Sequence, residues 1–213
     1  MTTANMTAMR ELADGVSYWR SRPRWPSDLN NAEYEKWARD NPNGNFTLDW
    51  WQQYQLPRLR EWLANRPYGG AILTPRFVEY ATALNAAWQM ACAPYLDRDI
   101  TSVTWEEVMA LPDEVGKIKP TNAPSPTFTS KFCHFLLPKI FPVVDTEAVG
   151  GGWPTYQAYF RYVQYEWNTT DLSTRTDLIT ALTEATGSTQ LYSGYPVATK
   201  IVELRLIGRN HPR

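Results

Sequence analysis

The stretch Ser130-Lys131-Phe132-Cys133-His134-Phe135-Leu136-Leu137-Pro138-Lys139-Ile140-Phe141-Pro142-Val143-Val144-Asp145-Thr146 decides between an all-helical chain and a mixed one. Its first half packs apolar residues as a helix does, from Phe132 to Leu137. Pro138 ends that helix, because the residue before a proline is pushed out of the helical region. Its second half, Phe141-Pro142-Val143-Val144, is the chain's one strand-like run, short and interrupted by a proline. The same stretch holds a lysine, a histidine and an aspartate in apolar surroundings. Charged groups are costly to desolvate without partners, so an apolar segment that carries them has a use for them.

Outward from this stretch the pattern is helical. Asn45 to Trp51 opens a helix with Leu48, Trp51, Leu59, Trp62 and Leu63 inward, broken near Pro57. Thr74-Pro75 reads as a capping threonine with proline at the first helical position, leading through Phe77, Tyr80, Ala81, Leu84, Trp88 and Met90. Thr104-Trp105-Glu106-Glu107 is a capping box. Residues 117–130 contain Pro120, Pro124 and Pro126 and are expected to form a loop. Trp153-Pro154 starts a tyrosine-rich helix. Asp171 caps another, with Leu178, Ile179 and Leu182 inward and Gly187 ending it. A last helix follows Pro196, through Ile201, Leu204 and Ile207. The expected fold class is all-α, one domain over residues 1–213, a helical globule with two lobes and a cleft between them.

The 213 residues, 43% hydrophobic and 20% charged, have the balance of a globular protein with a sizeable core. No apolar run of about 18 residues is present, so no membrane partner is expected. The first fifteen residues lack a basic stretch followed by an apolar one, so no secretory signal is expected. Cys92 and Cys133 have no metal-ligand spacing and read as free thiols of a cytoplasmic protein. A net charge of −1 argues against indiscriminate polyanion binding but allows a local basic face. Arginines cluster at Arg20, Arg22 and Arg24 and again at Arg58, Arg60 and Arg66; a solvated surface is the simpler reading of each cluster. Ten Trp and twelve Tyr are many for this length, and such rings serve either as core or as stacking platforms for bases.

Asp145 leaves the apolar run and is followed by Thr146, Glu147, Ala148 and Val149, then by Gly150-Gly151-Gly152. On spacing alone it is an N-cap candidate. The segment Val143-Val144-Asp145-Thr146-Glu147-Ala148-Val149 resembles the V-D-T-x-V signature of helix-hairpin-helix DNA glycosylases. Upstream, Leu111-Pro112-Asp113-Glu114-Val115-Gly116 is similar to that family's L-P-G-V-G hairpin, with Asp113-Glu114 where the first glycine would stand. Lys131 falls where bifunctional members keep a lysine. The resemblance implies an all-helical fold in which 109–149 is the hairpin-like and catalytic-aspartate region. It also implies a monomer that acts on DNA with a modified or damaged base. With two cysteines no four-cysteine iron–sulfur cluster forms, and neither cofactor nor metal is expected.

The implied chemistry is hydrolysis of an N-glycosidic bond. A carboxylate near C1′ stabilises the oxocarbenium-like transition state or orients a water, the role expected of Asp145. Lys131 either attacks C1′ as an amine, giving lyase activity, or stays charged and contacts a phosphate or Asp145; the second, monofunctional reading is favoured. His134, one helical turn from Lys131, is either a substrate contact or a core residue bonded to backbone or to Asp145. Trp50, Trp51, Trp153 and Tyr156 are the expected stacking residues for a flipped base. Gly116, Lys117 and Gly151 are the expected contacts to the DNA backbone. The substrate is expected among unusual bases, such as a glucosylated hydroxymethylcytosine of phage DNA removed in antiviral defence. The alternative is a non-catalytic helical module that binds DNA or a protein. A metal-dependent nuclease is weaker still, since no His/Asp/Glu cluster has ligand spacing.

Overall fold

The computed structural model describes residues 2–123 and 125–213, and every regular element among them is a helix. Met1 and Pro124 lie outside the described residues. The helices are α1 (Thr3–Arg20), α2 (Asn31–Arg39), α3 (Leu48–Trp50), α4 (Leu56–Glu61), α5 (Gly70–Ala91), α6 (Trp105–Val108), α7 (Ala110–Gly116), α8 (Pro126–Leu136), α9 (Tyr156–Thr169), α10 (Leu172–Thr186) and α11 (Val197–Asn210). The all-α expectation therefore holds.

Two helices form the centre. Every residue of α11 from Ala198 to Gly208 is buried, and so is every residue of α8 from Phe128 to Leu136. A helix buried on all sides needs partners all round, and its polar side chains, Ser130, Lys131 and His134 on α8 and Lys200, Glu203 and Arg205 on α11, need polar ones. One partner of α11 is α1, and glycines let the two backbones meet. A Cβ added at Gly15 would lie 1.9 Å from the Leu204 carbonyl oxygen, and one at Gly208 1.9 Å from that of Glu11. Only glycine fits such an approach. At the rim of this pair, Arg205 and Arg209 share the carboxylates of Glu11 and Glu166.

The local signals mostly act where expected. Thr104 and Glu107 exchange capping hydrogen bonds at α6, Asp171 caps α10, and Gly187 ends it. Tyr156, Tyr159, Phe160, Val163 and Trp167 of α9 are buried, although Thr155 rather than Trp153-Pro154 forms the start. Leu48, Leu63 and Ile179, expected inward, are 42%, 42% and 36% exposed. Near Pro57 the helix widens instead of breaking. The Leu56 N–H reaches back five residues to the Trp51 carbonyl, and this π turn absorbs the donor that proline lacks.

Other expectations are corrected. Helix α5 begins at Gly70, so Pro75 lies inside it, and the Thr74 hydroxyl accepts from the Trp51 indole 3.0 Å away instead of capping. Burial of Leu73 in the extra turn outweighs the single helical hydrogen bond that Pro75 forfeits. The loop expected over 117–130 stops at Ser125, whose hydroxyl caps α8 with Pro126 in the first turn. The hairpin-like Leu111–Gly116 is itself helical, as α7, with Leu111, Pro112 and Val115 buried. Helices α1 and α2 had no reading in the sequence.

The strand-like run 141–144 has no regular structure and pairs with no strand among the described residues; side chains satisfy its backbone instead. Ser130 accepts from the Val144 N–H at 3.0 Å, His134 Nδ1 lies 2.7 Å from the Phe141 carbonyl, and Tyr156 donates to the Pro142 carbonyl at 3.0 Å. Two of these three side chains belong to α8. The helix and the run after it thus form one clamp, and the clamp presents Asp145.

Candidate functional site

Beyond Val144 the chain makes a single turn, with the Asp145 carbonyl accepting from Ala148 at 3.0 Å and Val149 at 2.8 Å. The expected helix start at Asp145 is this one turn; α9 begins only at Tyr156. The carboxylate is held by Lys131 of α8, whose Nζ donates to Oδ2 at 2.9 Å and to the Trp62 carbonyl at 2.9 Å. The lysine side chain is 5% exposed and that of Asp145 is 29% exposed. The ammonium is therefore buried behind the carboxylate, and the carboxylate opens outward.

It opens into a cleft of about 1140 Å³. One side is the end of α1 with the loop after it, Tyr18 to Pro26, together with Glu33, Lys36 and Trp37 of α2. The other is the end of α4 with Arg58, Trp62 and Arg66, then Lys131 and the Asp145 turn, with Glu203 of α11 also on the lining. Aromatic rings support the first wall, where Trp25 lies 4.4 Å from Trp19 and Arg22 sits 4.4 Å above Tyr18. Seven basic side chains line the cleft against five acidic ones, in a chain whose net charge is −1. Arg22 pairs with Glu147 at 3.1 Å, and Arg58 pairs with Asp40. Arg24, Lys36 and Arg66 make no ion pair among the described residues.

The remaining expected site residues lie elsewhere. His134 is 1% exposed, and its ring nitrogens lie against the Phe141 carbonyl and the Tyr34 hydroxyl, the latter 3.1 Å away. Burial, with the nearby Lys200 charge, pushes its pKa down to about 3 against the hydrogen bond to Phe141, so the imidazole is neutral and positions the clamp. Trp51 stacks on Phe77 at 4.5 Å and Trp50 donates to the Asp40 carbonyl, both in the core. Tyr156 is buried against Pro142, and Trp153 rests on Tyr159 and Tyr162. Gly116 and Lys117 stand at the end of α7, and Gly151 is on the exposed turn after Val149. None of these residues lines the cleft.

The rings that do line it are Tyr18, Trp19, Trp25, Trp37 and Trp62. Sequence reasoning missed them, although Arg22-Pro23-Arg24-Trp25-Pro26 interleaves arginine with an aromatic ring as nucleic-acid surfaces do. The two arginine clusters, read as separate solvated surfaces, meet here through Arg22, Arg24, Arg58 and Arg66. Arg20 instead donates to the Ala185 carbonyl. Among the described residues no three His, Cys, Asp or Glu side chains gather as metal ligands, and no helix is long and apolar enough to cross a membrane. No protein-family model matches the chain, and neither a curated protein nor a solved structure matches it.

Proposed function

We propose that the protein is a DNA glycosylase that hydrolyses the N-glycosidic bond of a base flipped into this cleft. The observation that carries the reading is the partly exposed Asp145 carboxylate, fixed by buried Lys131 at the wall of an aromatic and arginine-lined cleft. A carboxylate so placed stabilises positive charge developing at C1′ and orients the attacking water. Water adds to C1′, the base departs with a proton, and an abasic sugar remains. Arg24, Lys36 and Arg66, which make no ion pair among the described residues, suit phosphates, and the rings suit a flipped base. In this reading the α1–α2 wall and the α4–α8 wall act as the two lobes. At 1140 Å³ the cleft exceeds the usual range of small-ligand pockets, which favours a base with a bulky substituent, such as a hypermodified cytosine of phage DNA.

Lys131 serves as the positioning residue. Its amine is committed to Asp145 and to the Trp62 carbonyl, so the monofunctional mechanism is favoured over Schiff-base chemistry. The test is mass spectrometry of bases released from DNAs that carry different modifications, with abasic sites counted in parallel. Asp145→Asn keeps an oxygen for Lys131 to bond but loses the charge. It should lower abasic-site formation about 10²–10³-fold while DNA binding persists. Borohydride should trap no adduct with the unaltered protein. The second reading, a helical module that binds DNA or a protein without chemistry, is favoured by the same ion pair, which would also hold the turn in a non-catalytic protein. Release of no base from any DNA that the protein binds would establish it over the first.

A further inference from the structure

Lys200 and Glu203 form an ion pair on α11, one of the two central buried helices. Their side chains are 0% and 6% exposed, and Lys200 Nζ lies 2.7 Å from Glu203 Oε2. The ammonium also sits 4.2 Å from the ring centre of Trp19 and 5.8 Å from that of Tyr34. Buried pairs of this kind are poor stabilisers, because desolvation offsets most of their attraction and apolar residues of equal volume do as well. This pair differs from a closed internal one, since Glu203 lines the cleft that Asp145 opens into, as does Trp19. No hydrogen bond among the described residues reaches Glu203 Oε1. The cleft thus contains a largely desolvated carboxylate, backed by the Lys200 ammonium and mounted on a buried helix.

We infer that Glu203 reads the base: its carboxylate accepts a hydrogen bond from the exocyclic amino group of a cytosine- or adenine-type base held in the cleft. The inference rests on the glycosylase reading above and names its substrate class. A carboxylate complements the N4 amino group of cytosine, whereas the keto oxygen of uracil or thymine sets acceptor against acceptor. A buried polar group discriminates strongly, because the wrong ligand leaves it unpaired. Trp19 joins the parts of the site. Its ring covers Lys200 on one side and contributes to the cleft wall beside the position of the base.

The experiment compares binding of the full chain to short single strands of oligo-dC and oligo-dU, followed by tryptophan fluorescence at one low salt concentration. At the edge read here the two strands differ by amino against keto at C4 and by acceptor against N–H donor at N3. The preference for oligo-dC therefore measures the amino contact against the imide N–H that uracil offers in its place; their sugar-phosphate backbone is the same. Oligo-dC should bind about tenfold more tightly, the worth of one hydrogen bond to a charged acceptor. A double variant, Lys200→Met with Glu203→Leu, removes the pair without leaving either charge alone. It should bind both strands with the weaker affinity. Equal affinity of the unaltered protein for the two strands, or binding of neither, overturns the assignment without needing any variant to fold. Retention of the preference by the double variant overturns it as well. The glycosylase reading fails separately: a dC preference without release of any base removes the activity and leaves Glu203 as the reader of the base.

Discussion

Unfolded, the His134 imidazole takes up a proton near pH 6.5; folded, burial and the Lys200 charge delay this to a pH of about 3. Between those values the unfolded chain binds the extra proton, so stability is complete above pH 6.5 and is lost as the pH falls toward 3. Denaturant unfolding measured at pH 7, 6 and 5 should show stability declining by at most about 1.4 kcal/mol per pH unit. His134→Gln should flatten that decline while lowering stability at pH 7; an unchanged slope in the variant would assign the effect to other groups. That Lys131 and Asp145 belong to one site was legible in the sequence, because both charges stand in one short apolar segment; that they pair was only one of the roles left open for the lysine. The roles of individual tryptophans were not. Ten identical side chains carry no local mark of whether they face the core or a cleft, and Trp50 and Trp62, twelve residues apart, take opposite roles.

At the scale of elements the α1–α11 contact makes the sharpest demand. Alanine is normally the better helix former by about 1 kcal/mol, so Gly15→Ala and Gly208→Ala would stabilise an isolated helix. Here each methyl would meet a carbonyl oxygen of the opposite backbone, and overpacking of that kind costs about 1–3 kcal/mol. Each substitution should lower Tm by several degrees, at about 2–4 °C per kcal/mol for a chain of this size. Gly151→Ala, where an added methyl meets nothing within 4 Å, should leave Tm almost unchanged and serves as the control. Caps written in adjacent residues, such as Thr104 with Glu107 and Asp171 before α10, were legible because their chemistry is local. Pro75 misled for the opposite reason. The turn before it is held by burial of Leu73 and by the hydroxyl contact with Trp51, from an element some twenty residues away.

For the whole molecule, net charge and function part company. A chain with a net charge of −1 gathers basic side chains from the loop after α1, from α2, from α4 and the segment after it, and from α8 into one cleft, so its field is local rather than global. If that cleft holds DNA, the logarithm of affinity should fall linearly with the logarithm of salt concentration. Arg24→Ala and Arg66→Ala should each reduce the slope by about 1. Arg98→Ala, outside the cleft, should not change it. Titrations across a salt series check this, and a slope indifferent to Arg24 and Arg66 would place the DNA elsewhere. The all-α class was legible from periodicity and caps. The cleft was not, because its walls come from segments more than a hundred residues apart, and it exists only once α1 lies against α11.

That last contact has a temporal side. Gly15 leaves the ribosome long before Leu204, and all of α2 to α10 is made in between. The nascent chain must therefore hold the apolar face of α1 uncovered through most of its synthesis. Contacts so distant along the chain slow folding and leave partly built states open to aggregation. The α1–α11 contact is among those that helix-by-helix assembly reaches last. The cleft, whose lining includes Glu203 of α11, is complete only after that helix has been made.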